Sequence, residues 1–252
     1  MIEWLVPAEV GLPASLALIA LSAATSFITA AAGIGGGIIL IAVMAVLMPA
    51  HALIPVHGVV QIGSNAGRAA LMVRGIEWRV ILLFCIGSLI GAAIGGVTAV
   101  QLPPSILNIG LGCFILWSVW APPVTAPGRF KVIFTGVFSS FLTMFFGATG
   151  SFVSAMVKTM KLGRLEHVAT HSACMVAQHA IKVVAFGLLG FAYGPYIGLI
   201  VAMVLSGFLG TWVGKHVLVK MNDKTFHRVL AVILSLLALR LLYEGITLLE
   251  LS

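Results

Sequence analysis

Three long stretches of this chain carry no formal charge, and their lengths decide what it can fold into. Val10 to Gly67, Val80 to Gly128 and Val183 to Gly214 contain no Asp, Glu, Lys or Arg. A helix crossing the hydrocarbon core needs about 20 mostly apolar residues. Each run is therefore long enough to contribute to more than one crossing. Only 8% of the chain is charged, against roughly a quarter in a soluble domain. The expected fold class is an all-α polytopic membrane protein, and a large soluble core is excluded.

Breaks at polar, Gly and Pro residues divide the chain into ten segments. They fall near 12–32, 37–49, 53–73, 79–100, 105–121, 131–147, 150–161, 167–192, 195–215 and 226–248. Lys and Arg favour short cytoplasmic loops. Arg74, Arg79, Arg129, Lys131, Lys158, Lys161, Arg164, Lys215, Lys220, Lys224 and Arg228 fall in alternate connections, which account for 11 of the 14 basic residues. The connections at 50–52, 101–104, 147–150 and 192–194 hold none. That alternation places both termini outside, with Glu3, Glu9 and Glu250. It also explains the net charge of +7 without nucleic acid. No basic stretch precedes the first apolar segment, so a retained first helix is expected rather than a cleaved signal.

Segments 37–49 and 150–161 are too short to span. At 1.5 Å per residue they reach about 18–20 Å, against a core of about 30 Å. Each is expected to be the returning arm of a re-entrant hairpin. Shifted by 114 residues, the sequence matches itself. Ser26-Phe27-Ile28-Thr29 falls on Ser140-Phe141-Leu142-Thr143, His57 on His171, and Arg68 on Lys182. Two repeats are expected, 1–128 and 129–252. Five segments is an odd number, so the second repeat enters the membrane from the opposite side. Such inverted repeats are common in secondary transporters, with the substrate near the midplane.

Gly33-Ile34-Gly35-Gly36-Gly37 interrupts the first hairpin, and Gly147-Ala148-Thr149-Gly150-Ser151 its partner. Each short arm starts with free N–H groups and the positive end of its dipole. The bland alternative is close helix packing. The third segment of each repeat is the polar one. His57, Gln61, Ser64 and Arg68 share one helical face, repeated as His171, Met175, Gln178 and Lys182. Asn65 and His179 lie one step around. Arg68, Lys182 and Arg240 are the basic residues placed inside spans, and no acidic residue in the apolar segments is expected to neutralise them; Arg68 and Lys182 are the matched pair. Intramembrane charges are costly and point to function by default. The alternative for both is a side chain reaching to the headgroups.

The candidate substrate-binding residues are Gly35, Gly36, Gly37, His57, Gln61, Asn65, Arg68, Thr149, Gly150, Ser151, His171, Gln178, His179 and Lys182. The expected partners are a small inorganic or organic anion and membrane lipid, with a homodimer left open. No cofactor is expected. There is no P-loop, and neither the histidines nor Cys85, Cys113 and Cys174 have zinc spacing. An anion channel, a membrane enzyme and a scaffold are the alternatives to a carrier. No nucleophile–base pair supports the enzyme.

The Gly-x-Gly-Gly-Gly break at 33–37, its weaker copy at 147–151 and two homologous halves together resemble the TauE/SafE sulfite exporter family, over essentially the whole chain. The resemblance implies export of sulfite or an organosulfonate such as sulfoacetate through the bacterial inner membrane. Thr149 and Ser151 depart from that pattern, standing where the first copy has glycines, which implies an asymmetric site.

Overall fold

Proline and glycine set most of the helix boundaries. The computed structural model describes residues 3–32, 35–99, 102–121, 130–217 and 223–250, and among them there is no strand. Gly33 and Ile34 of the first break, Gln101, Arg129 and Lys220 lie outside the described residues. Among the described residues ten α-helices run in order: α1 Leu12–Ala32, α2 Gly36–Leu47, α3 Ala50–Leu71, α4 Trp78–Ala99, α5 Pro104–Trp120, α6 Lys131–Phe146, α7 Gly150–Lys158, α8 Arg164–Leu188, α9 Ile197–Val217 and α10 Asp223–Glu250.

These match the ten expected segments, with shifts of three or four residues at five ends: the starts of α3, α8 and α10 and the ends of α7 and α8. α3 begins at Ala50 because extended Pro49 stands before it. α8 begins early, where the Gly163 N–H donates to the Glu166 carboxylate at 3.0 Å, satisfying one of the free N-terminal donors. It stops at Leu188, ahead of Gly190 at φ +96°. α7 has only nine residues, about 14 Å of helix, so it is shorter than expected and cannot cross a bilayer. α2, with 12 residues, cannot either.

Leu12–Ala30, Trp78–Thr98, Gly194–Gly214 and Ala231–Glu250 are long and apolar enough to cross a membrane. Their outer faces show exposed Leu82, Ile86 and Leu89 on α4, Leu205 and Leu209 on α9, and Leu236 and Leu239 on α10. Polar residues such as Ser22, Ser26, Ser139, Ser140 and Thr143 are buried instead. That is the arrangement lipid favours, because apolar side chains gain nothing by leaving it.

The helices pack in matched pairs. α1 lies along α9 and α4 along α6, while α3 packs on α8 and α5 on α10. Glycines bring the first two pairs together. A Cβ at Gly91 on α4 would collide with the Val137 carbonyl of α6, and one at Gly210 on α9 with the Ala23 carbonyl of α1. α3 and α8 thus sit at the centre, between the two closely packed pairs, and carry the polar faces. Arg240 is not an unpaired intramembrane cation: its Nε donates to Glu244 Oε1 at 2.9 Å, one turn along α10.

Candidate functional site

Both backbone breaks and the polar faces of α3 and α8 meet at one cavity of about 330 Å³. Gly35 has φ +105° immediately before α2, and Gly147 has φ +71° immediately after α6. Only glycine adopts such angles without strain, so these two residues are what allow each chain reversal. At the first break, Gly36 faces α1 and Gly37 faces α3. A Cβ on Gly36 would meet the Thr25 carbonyl and the Thr29 hydroxyl, and one on Gly37 would lie 2.9 Å from Gln61 Nε2.

His57 and His171 do the same job in the two halves. His57 Nε2–H donates to the Gly37 carbonyl at 3.2 Å, and His171 Nε2–H to the Gly150 carbonyl at 3.1 Å. Each ring ties the first turn of a short helix to a long central one. A carbonyl only accepts, so Nε2 carries the proton in each bond. The Gln61 amide nitrogen, 3.2 Å from His57 Nε2, is then a contact rather than a second donor. The Gln61 side chain is oriented by Asn65, whose Nδ2 donates to the Gln61 backbone carbonyl at 2.8 Å and to Oε1 at 3.2 Å.

Arg68 lines the cavity and is 3% exposed. Its Nη2 donates to Asn65 Oδ1 at 2.8 Å, Nη1 to Ser64 Oγ at 3.2 Å, and Nε to Ser172 Oγ at 3.4 Å. All three acceptors are neutral. Guanidinium has five N–H donors, so two remain for a ligand. The ion pairs among the described residues are His51–Glu9 and Arg240–Glu244, and neither touches Arg68. A buried cation without a counter-charge is costly. The side chain is nonetheless held in place by three bonds.

Lys182, the residue matched to Arg68, is placed differently. It is fully buried, and its Nζ has no hydrogen-bond partner. It does not line the cavity. Its Cε would be 2.8 Å from a Cβ on Gly58 of α3, so the chain points into the bundle rather than out to the surface. Gln178 is also outside the cavity. Its Nε2 donates to Ser139 Oγ at 3.0 Å and Ser140 Oγ at 3.1 Å, and its Oε1 accepts from Thr149 Oγ1 at 3.3 Å. Gln178 and Thr149 brace the second break. The Ser26–Ser64 pair at 3.0 Å holds the matching place in the first half.

Of the residues singled out from sequence, Gly35, Gly37, His57, Gln61, Asn65, Arg68, Gly150, Ser151, His171 and His179 line the cavity. Gly36, Thr149, Gln178 and Lys182 do not. Sequence reasoning missed Thr29, Ile38, Ser118 and Val119, and Ala231 and Leu234 of α10, which also line the wall. It also missed Ser172. Ser118 matters most, because its buried Oγ has no partner. The signal available was weak: it is one hydroxyl in an otherwise apolar Leu-Trp-Ser-Val-Trp run at the end of α5. Among the described residues, no group of three His, Cys, Asp or Glu could hold a metal.

Apolar outer faces, several membrane-length helices and a central polar cavity with a buried cation define a class: a multi-pass membrane protein that handles a small polar solute. The sulfite exporter TauE/SafE family model matches residues 18–241, and the chain belongs to that family. It is therefore a transporter for a small anion and not an enzyme. No curated protein and no solved structure matches it.

Proposed function

We propose that this chain is a secondary carrier that exports a small sulfur-containing anion, sulfite or an organosulfonate such as sulfoacetate. The observation that carries the reading is Arg68, a cavity-lining guanidinium whose partners are all neutral. A small oxyanion supplies the missing charge and accepts its two remaining N–H groups. Backbone N–H groups at the starts of α2 and α7 add positive potential on either side. Thr149 and Gln178 act by holding the second break.

Alternating access follows from two oppositely inserted halves, 1–128 and 129–252, rocking about the site. The paired packing supports this division. α1 of one half lies on the fourth helix of the other, and α6 does the same in return, while the two third helices and the two fifth helices pack like with like. In this reading α2 and α7 are the returning arms of re-entrant hairpins, the protein sits in the bacterial inner membrane, and both termini face the periplasm. An inside-negative potential of 100 mV favours outward movement by about 2.3 kcal/mol per negative charge.

The test places single cysteines at opposite ends of α5, in a chain with Cys85, Cys113 and Cys174 changed to Ala. Val119 lines the central cavity and Leu107 a second cavity of about 360 Å³ at the other end of the bundle. Saturating sulfite or sulfoacetate is expected to change the labelling of Val119→Cys and Leu107→Cys in opposite directions. Labelling of both positions unaltered by any oxyanion, with flux that does not saturate, would make the protein a channel. Ser118→Ala is expected to weaken anion binding modestly, by about 0.5–1.5 kcal/mol, or roughly 2- to 13-fold in dissociation constant. Equilibrium binding to purified protein checks it.

A further inference from the structure

The central cavity and the second cavity lie end to end along α3 and α8. On α3, His57, Gln61 and Arg68 line the first, and His51 and Ile54 line the second. On α8, His171 and His179 line the first, and Phe186 lines the second. On α3 the linings come within two residues of each other, Pro55 and His57, and on α8 about two helical turns, from His179 to Phe186, separate them. Lys182 falls in that interval and lines neither cavity.

Three buried, unpartnered nitrogens gather at this partition: His57 Nδ1, His179 Nδ1 and Lys182 Nζ. The two imidazoles meet edge to face with ring centroids 5.9 Å apart. Lys182 is close enough to interact electrostatically with both. Among the described residues, the titratable groups that interact with it are His57 from α3 and His179 from its own helix. Among the described residues no carboxylate pairs with it.

We propose that Lys182 is the proton-carrying group of the transport cycle, so that one proton crosses with each anion. This rests on the carrier reading above. In the closed partition Nζ has no counter-ion and no hydrogen-bond partner among the described residues, and a buried charge left without either is costly. When the partition opens toward a loaded cavity, the amine takes up a proton through His179 and His57, whose Nδ1 atoms accept and whose rings border the cavity. The ammonium then holds the anion: Lys–NH2 + H⁺ + A⁻ gives Lys–NH3⁺·A⁻. Opening to the other side reverses the step and releases both, and the empty carrier returns with a neutral amine. Arg68 cannot do this, since a guanidinium keeps its proton. The repeat thus places a fixed charge in one half and a titrating charge in the other. A dianion accompanied by one proton still carries one negative charge outward. A monoanion crosses without net charge.

The experiment uses purified protein in proteoliposomes with a lumenal pH dye. Sulfite and sulfoacetate are both tested, buffered well above the second ionisation of sulfite so that the anion brings no proton of its own. The wild type is expected to move one proton with each anion. Lys182→Gln is expected to keep residual anion flux with no accompanying proton. Lys182→Arg is expected to retain anion–anion exchange and lose net flux, because its empty form cannot return neutral. Wild-type anion flux without proton movement would overturn the inference and leave the carrier reading standing. So would an unchanged proton-to-anion ratio in Lys182→Gln. No binding or flux of either anion by the wild type would overturn the carrier reading and this inference with it. The wild-type ratio decides the matter even where a variant fails to fold.

Discussion

Arg68→Gln is expected to weaken oxyanion binding by roughly 30- to 150-fold, with little loss of protein stability. The size follows from what is removed: hydrogen bonds from a charged donor to the ligand, worth about 2–3 kcal/mol together. Stability is spared because the partners of Arg68 are neutral and two of the three have other bonds. Ser64 keeps its contact with Ser26 at 3.0 Å, and Asn65 keeps Gln61. Losing a buried cation also relieves a desolvation cost. Arg68→Lys restores the charge but not the planar fork, and recovers only part of the affinity. Equilibrium binding and thermal unfolding of the same samples separate the two effects. Wild-type affinity in Arg68→Gln would remove Arg68 from the site.

The second large effect is expected away from the cavity, where helix backbones touch. Gly91→Ile and Gly210→Ile each drive a branched side chain into a backbone carbonyl of the facing helix, Val137 in one case and Ala23 in the other. Overpacking a core that can yield costs about 1–3 kcal/mol. Here the obstacle is backbone in a paired helix, so each variant is expected to lie at or beyond that range and to lose most monodisperse protein in detergent. Gly194→Ala is the control, since a Cβ there meets nothing within 4 Å. Size-exclusion profiles and unfolding temperatures report the outcome. If Gly91→Ile behaves like Gly194→Ala, the close approach of α4 to α6 is wrong.

The helices were legible because lipid imposes a simple grammar: charge-free runs, ended by proline, glycine or lysine and arginine. The central polar face was legible for a different reason. His57, Gln61 and Arg68 recur at helical spacing, and a polar stripe in an apolar chain stands out. What escaped notice depended on tertiary contact. Gly36 reads like its neighbours, yet it packs on α1 while Gly35 and Gly37 line the cavity. Gln178 reads as a ligand group, yet it is consumed by Ser139, Ser140 and Thr149. Arg68 and Lys182 occupy matched positions in sequence, but only Arg68 reaches the cavity. Ser118 had no periodic partner on α5 to mark it.

The central claim is that an oxyanion sits between the two backbone breaks, against Arg68. Selenite, the heavier analogue of sulfite, tests it most directly by anomalous diffraction from crystals of the protein. The account predicts one selenium peak in the cavity, within hydrogen-bonding reach of the Arg68 guanidinium and flanked by Gly37 and Gly150. A peak elsewhere in the protein, with this cavity empty, would contradict it.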